Sequence, residues 1–137
     1  MRLNTYVNFN GNCAAAFQYY EEHLGARVKT MMTHGQFPES GAGADWKDAV
    51  LHGRIGLSGV ELWAADIPDA EPMRSAYLTL RVASNEEAER VFSVLSEGGR
   101  ILMPIVETFF AFRYGQVRDR FGINWMVLHE RPAPPGS

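Results

Sequence analysis

The sequence predicts an α+β fold made of two tandem βαβββ modules, and three observations carry that prediction. Residues 3–9 and 77–82 each alternate apolar and polar side chains, the period of a strand covered on one face. Each is followed by a stretch with helical spacing that stops at a glycine, Gly25 in the first case and Gly98 in the second. The two glycines stand 73 residues apart, and the same offset pairs Thr5, Val7 and Phe9 with Leu78, Leu80 and Val82. Strand register and helix stop thus agree on one internal duplication.

Taken in order, Leu3, Thr5, Val7 and Phe9 form the core face of the first strand, with Asn4, Tyr6 and Asn8 on a polar and aromatic face. Asn10-Gly11-Asn12 is a turn whose last residue is placed to N-cap a helix, along which Ala15, Phe17, Tyr20 and Leu24 recur. Residues 27–34 read as a strand. Residues 35–47 read as a long loop, with Pro38 and glycines at 35, 41 and 43 surrounding the apolar anchors Phe37 and Trp46. Strands at 50–57 and 60–65 form a hairpin closed at Ser58-Gly59. A joint at 67–75, with Pro68 and Pro72, leads to the second module. There the strand at 77–82 runs into a capping-box pattern, Ser84-x-x-Glu87, and a helix carrying Ala88, Val91, Phe92 and Leu95. Three strands follow, around 101–107, 111–118 and 123–129. The expected organisation is one domain over 1–137, with module one at 1–66, the joint at 67–75, module two at 76–130 and a proline-rich tail at 131–137.

Composition narrows the function. A chain of 137 residues, 46% hydrophobic and 12% aromatic, suits a single globular domain. Thirteen basic against 16 acidic residues leave a net charge of −3, with no basic surplus to neutralise phosphates, so no nucleic-acid partner is expected. Apolar runs are broken well before the roughly 20 residues of a membrane helix, and no signal-peptide pattern is present, so no membrane partner and a cytoplasmic location are expected. The lone Cys13 excludes an intramolecular disulfide and a multi-cysteine zinc site. At a helix start its thiol could be activated, although small-residue packing is the commoner role.

Local strings point to a family. Tyr6-Val7-Asn8-Phe9-Asn10-Gly11-Asn12-Cys13 resembles the opening of the PhnB-like branch of the vicinal oxygen chelate superfamily, the glyoxalase/bleomycin-resistance/extradiol dioxygenase group. Met103-Pro104, Glu107-Thr108-Phe109, Tyr114-Gly115, Asp119, Phe121-Gly122 and Trp125-Met126 resemble its closing pattern, and Leu62-Trp63 with Asp66 fits its middle hairpin. The resemblance spans Tyr6 to about His129. It implies that each module curls a four-stranded mixed sheet into a half-open cup that holds a ligand or metal.

Metal-using members of that superfamily place four ligands on the concave strands. Register puts the corresponding positions here at Asn4, Glu61, Tyr77 and Met126, of which only Glu61 is a competent ligand for a hard or borderline divalent ion. No metal site and no cofactor are therefore expected, which argues against glyoxalase-type isomerisation and extradiol dioxygenase chemistry. Among the histidines, His23 near a helix end, His34 at the head of the long loop and His129 at the end of the last strand read as surface or structural. His52, mid-strand, is either a satisfied histidine or part of a site.

The polar and aromatic face suggests a binding pocket instead, lined by Tyr6, Asn8, His52, Trp63, Tyr77, Arg81, Phe110 and Tyr114, with Thr79 beside them. Arg81, mid-strand and facing the cup, needs either an anionic ligand or a carboxylate such as Glu61 or Glu107. Glu107 could equally pair with Arg113. The expected function is a small-molecule-binding protein that takes a planar or anionic organic ligand, acting as a homodimer that buries its strand edges. The alternative is an enzyme of the same fold, either a metal-dependent lyase, isomerase or dioxygenase or a metal-free one with Glu61 or Glu107 as general base. A purely structural role remains a third reading. A methyltransferase is disfavoured because no glycine-rich nucleotide loop follows a strand.

Overall fold

The computed structural model describes residues 1–132, so most of the expected tail, 133–137, lies outside the described residues. The elements in chain order are β1 (Thr5–Phe9), α1 (Cys13–Leu24), β2 (Arg27–Thr33), β3 (Val50–Leu57), β4 (Val60–Asp66), β5 (Leu78–Arg81), α2 (Asn85–Ser96), β6 (Arg100–Val106), β7 (Ala111–Arg118) and β8 (Asn124–Glu130). This is βαβββ twice. The chain divides into two compact units, the first spanning Met1–Glu71 and the second beginning at Pro72. Each holds one mixed four-stranded sheet, ordered β1-β4-β3-β2 in the first and β5-β8-β7-β6 in the second. Within them β1 runs parallel to β4 and β5 parallel to β8, and the remaining pairs are antiparallel.

In the first unit α1 covers one face of the sheet, burying Cys13, Ala16, Phe17 and Tyr20 over Val7, Phe9, Ile55 and Ala64. The inner stripe runs through Ala16, and Ala15 of the expected stripe faces out. Leu3 and Thr5 are exposed as well, because β1 is an edge strand whose core contribution begins at Val7. In the second unit all four expected residues of α2, Ala88, Val91, Phe92 and Leu95, are buried, over Trp125, Val117 and Val127.

The duplication extends to packing detail that periodicity does not reach. Gly53 in β3 lies under Phe17 of α1, and Gly115 in β7 lies under Phe92 of α2. In both units the absent side chain lets the aromatic ring rest on the sheet backbone.

The caps differ from the expected ones. Asn12 precedes α1, but its side chain caps nothing; the Asp66 carboxylate takes its place, accepting from Gly11 N at 2.9 Å and Cys13 N at 3.0 Å. Ser84 does cap α2, its Oγ accepting from Glu87 N at 3.0 Å, while the Glu87 carboxylate reaches Ala83 N. Residues 35–47 contain three single 3-10 turns, at His34–Gln36, Pro38–Ser40 and Ala44–Trp46. Ser58 and Gly59 both have positive φ, 53° and 79°, the requirement of a two-residue turn whose twist suits a hairpin. Pro104, which has no N–H to donate, sits in the edge strand β6 inside the register shift between Met103 and Val106.

Candidate functional site

The two-residue turn fixes what β3 and β4 present on the face away from α1. Leu57 lies opposite Val60, so Gly56 faces Glu61 and Arg54 faces Trp63. The parallel pairing of β1 with β4 places Tyr6 beside Trp63. His52, Arg54, Glu61, Trp63 and Tyr6 therefore share one face, because Gly53 and Ala64 point to the helix. His52 stands between two aromatic rings, stacked with Tyr6 at 6.2 Å between centroids and edge-on to Trp63 at 5.5 Å.

Beside this cluster lies a charged pair. Arg54 donates from Nε to Glu61 Oε1 at 2.8 Å and from Nη2 to the same oxygen, and its guanidinium lies over the Trp63 ring at 4.6 Å. The Trp63 indole Nε1 donates to that oxygen too, at 3.1 Å. These hydrogen bonds, helped by the charges of Arg54 and Lys29, hold the Glu61 carboxyl below the usual carboxylate range. Glu61 is thus ionised and a weak base, which counts against the general-base role considered for it. Burial pushes the Tyr6 phenol up, so it remains a neutral hydroxyl. Arg54, to which no role was assigned from sequence, is the organising residue. The signal for it was available in the turn at 58–59, which dictates its pairing with Trp63.

The second unit gathers fewer of the expected residues. Phe110 and Tyr114 meet edge-on at 5.1 Å, and Phe109 packs on Phe110 at 5.2 Å. Gln116 donates to the Tyr114 hydroxyl at 2.8 Å, and that hydroxyl faces the Met126 sulfur at 3.7 Å. Tyr77 stands one residue ahead of β5. In the first unit Asn8 shares the face of Tyr6, and its side chain has no hydrogen-bond partner among the described residues.

Two residues lack the burial expected of them. The Arg81 side chain is 74% exposed and pairs with Glu130 at 3.3 Å, so it is neither buried nor matched to Glu61 or Glu107. As the last residue of the edge strand β5 it can extend into solvent. An ion pair this exposed contributes little, and Arg81→Leu should change stability by no more than about 0.5 kcal/mol in a denaturant titration; a loss of about 2 kcal/mol or more would contradict the placement. Glu107 is 65% exposed and pairs with Arg131 at 3.3 Å, while Arg113 pairs with Glu89, so Glu107 has neither the burial nor the expected partner of a tuned base.

The remaining candidates settle into structural roles. Burial, with the Asp66 charge adding to it, pushes the Cys13 thiol up to about 12, so the helix start does not activate it. His34 Nδ1 and Ser40 Oγ lie 3.0 Å apart within the loop, and His129 Nδ1 lies 2.9 Å from Asn85 Oδ1, tying β8 to the start of α2. His23 packs on Tyr19 near the end of α1.

Residues 2–127 match the glyoxalase/bleomycin resistance protein/dioxygenase superfamily. The chain belongs to this superfamily. It is 33% identical over 138 residues to Protein YjdN of Escherichia coli (strain K12), a match covering 93% of this chain and 94% of that protein. Among solved structures it is similar to protein PA1353 of Pseudomonas aeruginosa, with 40% identity, a TM-score of 0.84, and coverage of 95% of this chain and 98% of that one. A PhnB protein of Bacillus cereus, described as a putative 3-demethylubiquinone-9 3-methyltransferase, shares the fold at 22% identity and a TM-score of 0.80, covering 94% and 99% of the two chains.

The glyoxalase superfamily's metal chemistry can be tested against the donors present. Among the described residues no three His, Cys, Asp or Glu side chains converge. Glu61, the one competent donor of the expected quartet, has an oxygen already committed to Arg54 and Trp63. Strand register also revises the fourth position. Tyr6 pairs with Trp63 and Thr79 with Met126, so the counterpart of Glu61 in the repeat is Asn124. Asn124 is buried, accepts from Arg118 Nε at 2.8 Å, and donates to the carbonyls of Arg74 and Ala76. Taken each in its own unit, an amide occupied on both sides is a poor donor for a divalent ion, and so is a carboxylate oxygen held by arginine and indole.

Proposed function

We propose that this superfamily member binds a small planar organic molecule on the open face of its first sheet, without a resident divalent metal. The observation that carries the reading is the cluster of Tyr6, His52 and Trp63, with the Arg54–Glu61 pair seated against Trp63 at one side of it. Three rings contributed by three adjacent strands offer aromatic surface at different inclinations, and the charged pair beside Trp63 supplies directional hydrogen bonding, the makeup of a small-molecule site. Binding is favoured over catalysis because both carboxylates considered as bases are poorly suited to the task, Glu61 by its depressed pKa and Glu107 by its exposure. The anionic group first expected on the ligand loses its main support with Arg81 turned to solvent. Exposed Ile101, Met103 and Val106 on the edge strand β6 support the homodimer expected from the sequence.

A fluorescence screen with a panel of planar aromatic compounds tests the reading. Trp125 is buried and Trp46 lies in the 3-10 loop, so the quenching due to Trp63 is taken as the difference between the native protein and Trp63→Ala. Saturable quenching by at least one compound is expected, with the affinity measured by calorimetry falling about tenfold or more in Trp63→Ala, in line with the loss of about 1.4 kcal/mol or more of aromatic contact. No saturable binding by any compound, or binding indifferent to Trp63→Ala, would refute it.

A further inference from the structure

We infer that the ligand of this face is a planar molecule with a hydrogen-bond donor on its edge, an N–H or O–H aimed at Glu61. The inference rests on the binding reading above and names the class of molecule bound. Both hydrogen bonds that reach Glu61, from Arg54 Nε and Trp63 Nε1, end on Oε1, and the ion-pair contact of Arg54 Nη2 falls on the same oxygen. Oε2 receives no hydrogen bond from any described residue. A carboxylate has about four acceptor positions, two on each oxygen, so the two on Oε2 are unspent.

The unspent oxygen is also fixed in place. The two Arg54 donors and the indole N–H hold one side of the carboxylate, and Arg54 is itself seated on the Trp63 ring. Glu61 keeps its charge at neutral pH because those partners and Lys29 stabilise the ionised form, so Oε2 is an acceptor under ordinary conditions. The side chain is 35% exposed and touches the edge of Trp63, which leaves the oxygen open to a molecule seated against that ring. An acceptor preorganised beside a stacking surface discriminates strongly, because a ligand lacking the donor must desolvate the carboxylate without replacing its water. Heteroaromatics with a ring N–H, and phenols, meet the requirement. A planar ligand with only acceptors on its edge does not.

Indole and benzofuran share shape and area and differ in whether the ring heteroatom donates. Calorimetric titration of both into the native protein and into Glu61→Gln makes the test. The glutamine carbonyl can keep the Arg54 and Trp63 hydrogen bonds while its amide replaces the open acceptor with a donor. Indole should bind the native protein about tenfold more tightly than benzofuran, and in Glu61→Gln the ratio should fall to about one or below, with an unchanged melting temperature showing that the fold is intact. Equal affinities in the native protein, or a preference for indole that survives in Glu61→Gln, would overturn the donor requirement and leave the stacking surface standing. Binding of neither compound, together with silence across the aromatic panel, would overturn both readings.

Discussion

Replacing Asp66 by alanine should destabilise the protein by about 3–5 kcal/mol, one of the two largest effects expected of a single substitution here. The side chain is only 2% exposed, and its two oxygens accept three backbone N–H groups, from Gly11, Cys13 and Val50, the last at 2.8 Å. Those donors belong to the turn after β1, the first residue of α1 and the first residue of β3. Truncation would orphan the buried amides of Cys13 and Val50 and free the part-buried one of Gly11, and each charge-assisted bond is worth more than a neutral one. Asp66→Asn should fall between alanine and the native protein, since one amide oxygen still accepts while the NH₂ faces a donor. Equilibrium denaturation of the three proteins measures this, and a loss below about 1 kcal/mol for alanine would show that Asp66 is not the tie it appears from its geometry. Ligand binding on the open face should weaken with it, because β1 and β3 carry Tyr6 and His52.

A side chain at Gly115 is the second case. A Cβ there would sit 2.6 Å from Cε2 of Phe92, closer than carbon atoms approach one another, and 3.1 Å from the Ile105 backbone, a tight contact. Phe92 is itself nearly buried, so its ring has little room to give way. Gly115→Val should cost about 3 kcal/mol, at the upper end of overpacking effects, because valine adds two methyl groups beyond the Cβ. The cost should be partly relieved in combination with Phe92→Ala, and a double-mutant cycle would report that coupling. Denaturant midpoints unchanged by Gly115→Val would refute the account. Gly53→Ala, under Phe17 in the first unit, should show a smaller effect of the same sign, since only the ring edge comes as close as 2.9 Å.

Both substitutions act on features of different legibility. Gly115 lies in a strand that the alternating pattern reveals, and its repeat partner Gly53 follows from the duplication, yet nothing local says that a phenylalanine covers either. Asp66 was legible only as one letter of a family pattern. Its role depends on backbone groups 16 to 55 residues away in the chain. The candidate site was half legible. Tyr6, His52 and Trp63 were named from the sequence and come together, whereas Arg54 was passed over although the turn at Ser58-Gly59 fixes its partner. Phe110 and Tyr114 meet in the second unit, and Arg81 and Glu107 go elsewhere.

The sequence by itself determined the βαβββ duplication, the buried face of α2, the hairpin register set by two residues of positive φ, and membership of the glyoxalase superfamily. Each rests on a period, a spacing or a turn rule that acts over a few residues. Tertiary structure alone decided who pairs with whom among the charges: Arg81 with Glu130 across 49 residues, Glu107 with Arg131, and Asp66 with three backbone amides. Alternation says which face a side chain takes but not which neighbour it meets there. That choice is made when strands distant in sequence are brought side by side, and it is what turned the expected anion-binding arginine outward and set the Arg54–Glu61 pair against Trp63.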